Sequence, residues 1–323
     1  MASIPGRIFA LIARAAGNVN PVIVQKKKKN IVKDLRSAEP LFRHYIPPLG
    51  YRFRRTDADG VPMEIFSPKK GGSDNAVLVI HGGAYISRMM FYYRLSNKRY
   101  SKASGGGTVV HFDYRCAPEY TFPAALDDTQ KVWDKLLEMG FRPENIVTVG
   151  DSAGGHLTLD LLMRLHDAGR AKPKACVLMS PWIDMTASGD SYVYNYKVDP
   201  VFGIRGETPT PEQVKELLGQ SELYMWFGDH DRTDPYISPV LNDYDSTYPP
   251  LFITVGGDEM LLSEAETLAE KFRAAGVEAR LLVGDRMFHA FPVYQIFPEA
   301  WRAQKKIAAF ISRQLSVEVH RCR

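Results

Sequence analysis

The stretch Ile146-Val147-Thr148-Val149-Gly150-Asp151-Ser152-Ala153-Gly154-Gly155-His156 decides how the rest of the chain is read. A β-branched run ends at Gly150, a serine follows two residues later, and residues 157–165 form an apolar, helix-compatible segment. Strand, sharp turn and helix with a serine at the turn is the local form of a nucleophile elbow. Such a turn strains the serine backbone, so Gly150 and Gly154 are needed where a Cβ would strike a neighbouring strand or the helix start. A bare Gly-x-Ser-x-Gly also occurs in loops where the serine only shapes a turn. The flanking strand and helix patterns favour Ser152 as a nucleophile.

Working outward, short apolar strands alternate with helical segments. Residues 51–66 alternate around Asp57-Ala58-Asp59-Gly60 and read as an antiparallel hairpin. Strands are expected at 76–80, 108–112, 175–179, 251–255 and 279–283. Helices are expected at 31–48, 91–104, from Pro123 to 138, and at 263–275 and 299–315. This alternation predicts an α/β fold whose mostly parallel sheet is covered on both faces. The rhythm breaks between residues 184 and 249, which is too long for an ordinary connection. That segment reads as a cap insertion, with a helix near 211–218. The expected organisation is an N-terminal cap segment (1–50), a core in two parts (51–183 and 250–323) and the insertion (184–249).

Composition sets the outer limits. The 323 residues are 45% apolar and 24% charged with a formal charge of +4, ordinary for a globular protein and no sign of a nucleic-acid partner. Cys116, Cys176 and Cys322 are too scattered for a disulfide framework or a metal cluster, which fits a cytoplasmic location. No run reaches the length of a membrane span, so no stable membrane insertion is expected. The apolar core 8–13 between Arg7 and Arg14 reads as an amphipathic first helix covering a substrate pocket, and Lys26 to Lys29 as a solvated face, with membrane contact through this helix and basic patch the minority alternative.

An attacking serine needs a base, and the base a carboxylate to orient it. In α/β-hydrolase chain order, serine, acid and histidine follow one another. His289 is placed to be the base; His320 lies in a polar tail, and His156 sits on the elbow helix, where packing is its expected role. The acid is Asp258 or Glu259, and adjacent side chains in extended backbone point to opposite sides. The residues alone leave that choice open. His81-Gly82-Gly83 supplies backbone for an oxyanion site, joined by the amide of Ala153 at a helix start, with His81 holding the loop. The group His230-Asp231 with Asp229 and Asp234 has generic spacing, so no metal is expected.

With these motifs in order, the chain resembles the hormone-sensitive-lipase-like esterases of the α/β-hydrolase group over about residues 60–315. The resemblance rests on His81-Gly82-Gly83-Ala84-Tyr85, Asp113-Tyr114-Arg115-Cys116-Ala117-Pro118-Glu119, residues 122–128, residues 150–155 and Ser180-Pro181-Trp182. It implies ester hydrolysis without a cofactor and a lid built from the N-terminus plus the insertion. It also implies Ser152 and His289 in catalysis, with oxyanion amides from Gly82, Gly83 and Ala153. In the family the acid generally stands 30 positions before the histidine with leucine two residues on. Glu259, with His289 and Leu261, meets both conditions. Ala84 departs from the family's usual third glycine, which puts pocket shape in question.

Tyr85, Asp151, Trp182, Tyr192, Tyr224, Trp226 and Phe227 are the candidates for the substrate pocket, Asp151 with the added role of fixing the elbow. Aromatic lid residues suggest small to medium acyl esters. The expected partners are such an ester and water, with a homodimer allowed. Amide or lactone hydrolysis would use the same groups, and a non-catalytic binding protein would be expected to lack one of them.

Overall fold

The computed structural model describes residues 2–17, 19–27, 30–36 and 45–317. His320, Cys322, Lys28, Lys29 and residues 37–44 of the expected helix 31–48 lie outside them. Eight strands form one sheet: β1 (Tyr51–Ala58), β2 (Val61–Pro68), β3 (Ala76–Ile80), β4 (Thr108–Phe112), β5 (Ile146–Asp151), β6 (Ala175–Met179), β7 (Leu251–Gly256) and β8 (Ala279–Gly284). Their spatial order is β1-β2-β4-β3-β5-β6-β7-β8. The pairs β1/β2 and β2/β4 are antiparallel, and every later pair is parallel.

The hairpin is tighter than the sequence implied. Ala58 pairs with Val61, leaving Asp59 and Gly60 as a two-residue turn with both φ angles positive (51° and 83°). That turn type matches the twist of the flanking strands.

The helices are α1 (Ile4–Gly17), α2 (Pro21–Lys26), α3 (Ile31–Arg36), α4 (Asn97–Ala103), α5 (Ala124–Glu138), α6 (Ala153–Asp167), α7 (Ser191–Tyr194), α8 (Pro211–Gly219), α9 (Leu262–Ala274) and α10 (Pro298–Gln314). The expected helix 91–104 divides into a 3-10 turn, Phe91–Ser96, and α4. Strand alternation sends β3 side chains to both faces. Ala76, Leu78 and Ile80 pack with α5 and α6, while Val77 and Val79 pack with α4 and α10. Two-sided burial explains why β3 and β6 are continuously apolar rather than alternating, and why β5 is buried along its whole length.

One topological feature positions the site. β3 lies between β4 and β5, so the chain leaves β3 to one side and returns through β5 on the other. The loops at the carboxyl ends of β3 and β5 therefore emerge side by side, the place where open α/β sheets bind ligands.

The N-terminal helices lie against this end. Ser3 donates from its N–H and hydroxyl to Glu299 at the start of α10 (2.6 and 2.8 Å). The Phe9 ring packs against Phe288, Tyr294 and Phe297. Arg14 donates to the Val198 carbonyl, and Asn20 Nδ2 to Tyr196 Oη and the Phe202 carbonyl, which ties this segment to the 184–249 stretch. Among the described residues, no helix is long and apolar enough to cross a membrane.

Candidate active site

Ser152 stands between β5 and α6 with φ 51° and ψ −121°, the strained conformation expected of the elbow. A Cβ on Gly150 would run into the Gly154 carbonyl, and one on Gly154 into the carbonyl of Ile80, so both glycines are required by close backbone approach. The Ser152 N–H donates to the Met179 carbonyl at the end of β6 (2.9 Å), fixing the turn against the next strand.

Glu259 and His289 meet. His289 Nδ1 lies 3.0 Å from Glu259 Oε2, and the Glu259 side chain is fully buried. The other oxygen, Oε1, accepts from the Ser180 hydroxyl (2.6 Å) and from the Gly256 N–H. Asp258 points the other way, into a cleft with Arg14 and Arg286. Burial alone would disfavour the charged form of His289. The Glu259 hydrogen bond and the charges of Glu259, Asp199 and Asp151 outweigh it and raise the imidazole pKa above its ordinary value.

Ser152, His289, Gly83, Ala84 and Asp151 line one cavity of about 400 Å³. Gly83 has φ +115°, and a Cβ there would strike Ser87, so only glycine fits. Gly82 does not face the cavity as expected. Its N–H donates to Tyr93 Oη (2.8 Å) and Asp151 Oδ1 (3.1 Å), which removes it from the set of available amides. The next two residues, Gly83 and Ala84, are the ones presented to the cavity. His81 holds this loop from behind, its ring stacked on Tyr114 (4.1 Å) and Nδ1 2.8 Å from the Gly82 carbonyl.

Asp151 accepts from both Gly82 N–H and Tyr93 Oη (3.0 Å), so it clamps the loop after β3 onto the elbow. Burial pushes its carboxyl up to about 6, against the opposing pull of the Tyr93 hydrogen bond and of His289.

The other expected pocket residues lie elsewhere. Tyr85 is buried with its ring stacked on Trp226 (4.0 Å), and His156 meets both rings edge-on. Trp182 packs edge-on against Tyr224 (5.4 Å), and Phe227 edge-on against Trp226 (5.3 Å). Tyr192 donates to Glu264 (2.9 Å) inside the core. The reason is local: residues Glu222–Phe227 form a 3-10 turn held by Phe122 N–H on the Trp226 carbonyl, which brings Leu223 to the cavity but packs Trp226 against His156 of α6. The cavity walls come instead from Phe9, Met90, Tyr92, Phe202, Phe288 and Tyr294. These residues are dispersed in sequence and form no motif.

Sequence reasoning also missed the supports of the acid and base. Ser180, at φ 46°, donates to Glu259 and accepts from the Ala290 N–H (2.9 Å), joining the two loops. Asn195 Nδ2 donates to the Glu259 carbonyl (2.7 Å), and Asp199 Oδ2 accepts from the Met260 N–H (2.7 Å). Asp184 satisfies its own turn through Thr186 and Ser188 and does not reach His289. Ser180 had a visible signal in Ser180-Pro181-Trp182. Asn195 and Asp199 had none.

Ser180→Ala is expected to lower kcat about 10- to 100-fold with little change in KM, since a hydrogen bond to a buried carboxylate contributes roughly 1.5–3 kcal/mol. A pH–rate profile measured beside it should show a displaced acid limb, because Glu259 loses its anchor. An unchanged limb would reduce Ser180 to a packing role.

The elbow at the carboxyl end of β5, the buried acid–histidine pair and the switch-point cavity together define an α/β-hydrolase. The α/β-hydrolase fold family matches residues 77–293, and the chain belongs to it. An esterase of Acinetobacter venetianus is 32% identical over 233 residues, covering 72% of each chain. An acetyl-hydrolase of Streptomyces hygroscopicus is 31% identical over 236 residues, covering 73% of this chain and 74% of its own length. The crystal structure of an esterase from the bacterial hormone-sensitive lipase family superposes with a TM-score of 0.80 at 32% identity, covering 98% of this chain and 100% of that one. Within the α/β-hydrolases the chain is a hormone-sensitive-lipase-like carboxylic ester hydrolase.

Proposed function

We propose that the protein hydrolyses small to medium acyl esters through a covalent acyl-enzyme on Ser152. The observation that carries this reading is the convergence of Ser152, the His289–Glu259 pair and the Gly83-Ala84 backbone on a single cavity. With Nδ1 bonded to Glu259, His289 has Nε2 for the serine. It takes the hydroxyl proton as Oγ bonds to the ester carbonyl carbon, and the carbonyl π electrons move onto oxygen. The amides of Gly83, Ala84 and Ala153 stabilise that oxyanion. As it collapses, the C–O bond to the alcohol breaks and His289 Nε2 protonates the leaving oxygen. Water, deprotonated by the same nitrogen, attacks the acyl carbon; Ser152 leaves with its proton restored and the acid is released. Glu259 orients the ring throughout.

The cap reading, residues 1–50 and 184–249 over a core of 51–183 and 250–323, draws support from the cavity walls contributed by Phe9, Ile12, Leu35, Phe202 and Leu223. A cavity of about 400 Å³ lies toward the small end of ligand pockets, and its walls mix aliphatic side chains with the rings of Phe9, Tyr92, Tyr93, Phe202, Phe288 and Tyr294. Specificity constants on p-nitrophenyl acetate, butyrate and decanoate are the test. Decanoate should fall at least about 10-fold below butyrate, because a chain longer than the cavity must displace its wall side chains or hold the ester carbonyl back from Ser152, and overpacking of that kind costs about 1–3 kcal/mol. A preference for decanoate would sink the size argument, and turnover of none would sink the esterase mechanism.

A further inference from the structure

The described part of α1 presents an apolar face to solvent. Ile4, Ile8, Leu11 and Ile12 are 74, 52, 60 and 54% exposed. At 100° per residue these four positions form one continuous stripe along the helix. Isolated exposed aliphatics are ordinary, but four on one helix face are a patch of the kind that marks an interaction surface.

The two flanks of the stripe differ. On one side Phe9 and Ile12 line the catalytic cavity. On the other, Arg7, Leu11 and Arg14 line a separate cleft whose remaining cations are Lys197, Arg205 and Arg286. Asp258 is the carboxylate lining that cleft, and Asp285 and the buried Asp199 also interact electrostatically with its arginines, so five cations face three acids. The sequence extends the same asymmetry. Residues 1–33 hold seven of the chain's 41 Lys and Arg and none of its 37 Asp and Glu. An apolar helix face bordered by cations suits the boundary between acyl chains and anionic headgroups. A second copy docked on the same face across a two-fold axis would set these cations against each other.

We propose that α1 is an interfacial docking helix that seats the protein peripherally on an anionic lipid surface. The Ile4-Ile8-Leu11-Ile12 stripe enters the headgroup–acyl boundary and the Arg7/Arg14 cleft meets lipid phosphates. The catalytic cavity opens under the same helix, so docking sets its roof against the bilayer. Binding does not require turnover and goes beyond the esterase mechanism.

The test is flotation of the full chain with vesicles of phosphatidylcholine alone or mixed equally with phosphatidylglycerol. Partition onto the mixed vesicles should exceed that onto neutral ones by at least about 10-fold and weaken as salt is raised. Ile8→Asp/Leu11→Asp, whose side chains lie outside the catalytic cavity, should abolish it while leaving the thermal melt by circular dichroism in place. Arg7→Gln should reduce partition about 5-fold, the factor for one cation near an anionic surface. Equal partition onto both vesicle types, partition onto neither, or a double variant that still floats would overturn the proposal. So would sedimentation showing a wild-type dimer that the double variant dissociates, since the face would then belong to a second copy.

Discussion

Ser152→Ala should lower kcat/KM on p-nitrophenyl butyrate by about 10⁵- to 10⁶-fold, leaving a residual rate above background from the oxyanion amides and substrate binding. The expected loss is large because the elbow offers no substitute. Ser152 alone occupies the strained position at the end of β5, and its backbone is fixed by Met179 and Trp182. The methyl group of alanine adopts the same backbone, so the fold should persist with an unchanged melt. Loss of activity with an intact melt assigns the nucleophile. Retention of even a tenth of the wild-type rate would mean that hydrolysis runs elsewhere.

Glu259→Gln should cost about 10³- to 10⁴-fold in kcat/KM at neutral pH, the scale seen when an orienting carboxylate becomes an amide. The sign of its pH effect follows from the forces on His289. In the wild type, burial lowers the imidazole pKa, but Glu259 by hydrogen bond and charge, with Asp199 and Asp151, lifts it above the ordinary value. The base form is required, so activity rises as pH rises through that pKa. Without the Glu259 charge burial dominates, and the acid limb of kcat/KM should move to lower pH. Asp258→Asn removes a carboxylate that faces the outer cleft and should stay within about 3-fold of wild type. A pH profile of both variants checks this. Reversal of the two outcomes would make Asp258 the orienting acid.

Much of the fold was legible because its signals are local. The apolar runs of β3, β5 and β6 and the glycines around Ser152 each follow from neighbours in sequence, as do the elbow and the strand ends that flank it. The choice of Glu259 over Asp258 was different. Extended backbone separates the two side chains, but only spacing carried over from related esterases pointed to Glu259, and the structure pairs that residue with His289. The Gly82 expectation failed because a glycine's motif position does not reveal where its N–H goes, and Asp151 with Tyr93 takes it. The pocket was the least legible part. Tyr224, Trp226 and Phe227 are conspicuous as a cluster, yet aromatic residues close in sequence often pack on each other. The cavity is walled by residues from α1, the loop after β3, the insertion and the loop after β8, brought together only by the tertiary fold.

The segment between β6 and β7 does more than line the cavity. Asn195 and Asp199 reach from it to the backbone of Glu259 and Met260, so part of the scaffolding that aims the acid is supplied by the segment that also shapes substrate access. Substrate range and catalytic alignment are therefore inherited together. A chimera that exchanges this segment for one from another hydrolase would import a new pocket and, unless it carries equivalents of those two side chains, a loosened triad. Single changes at the wall residues should shift substrate range without disturbing that scaffold, whereas replacing the whole segment should disturb both.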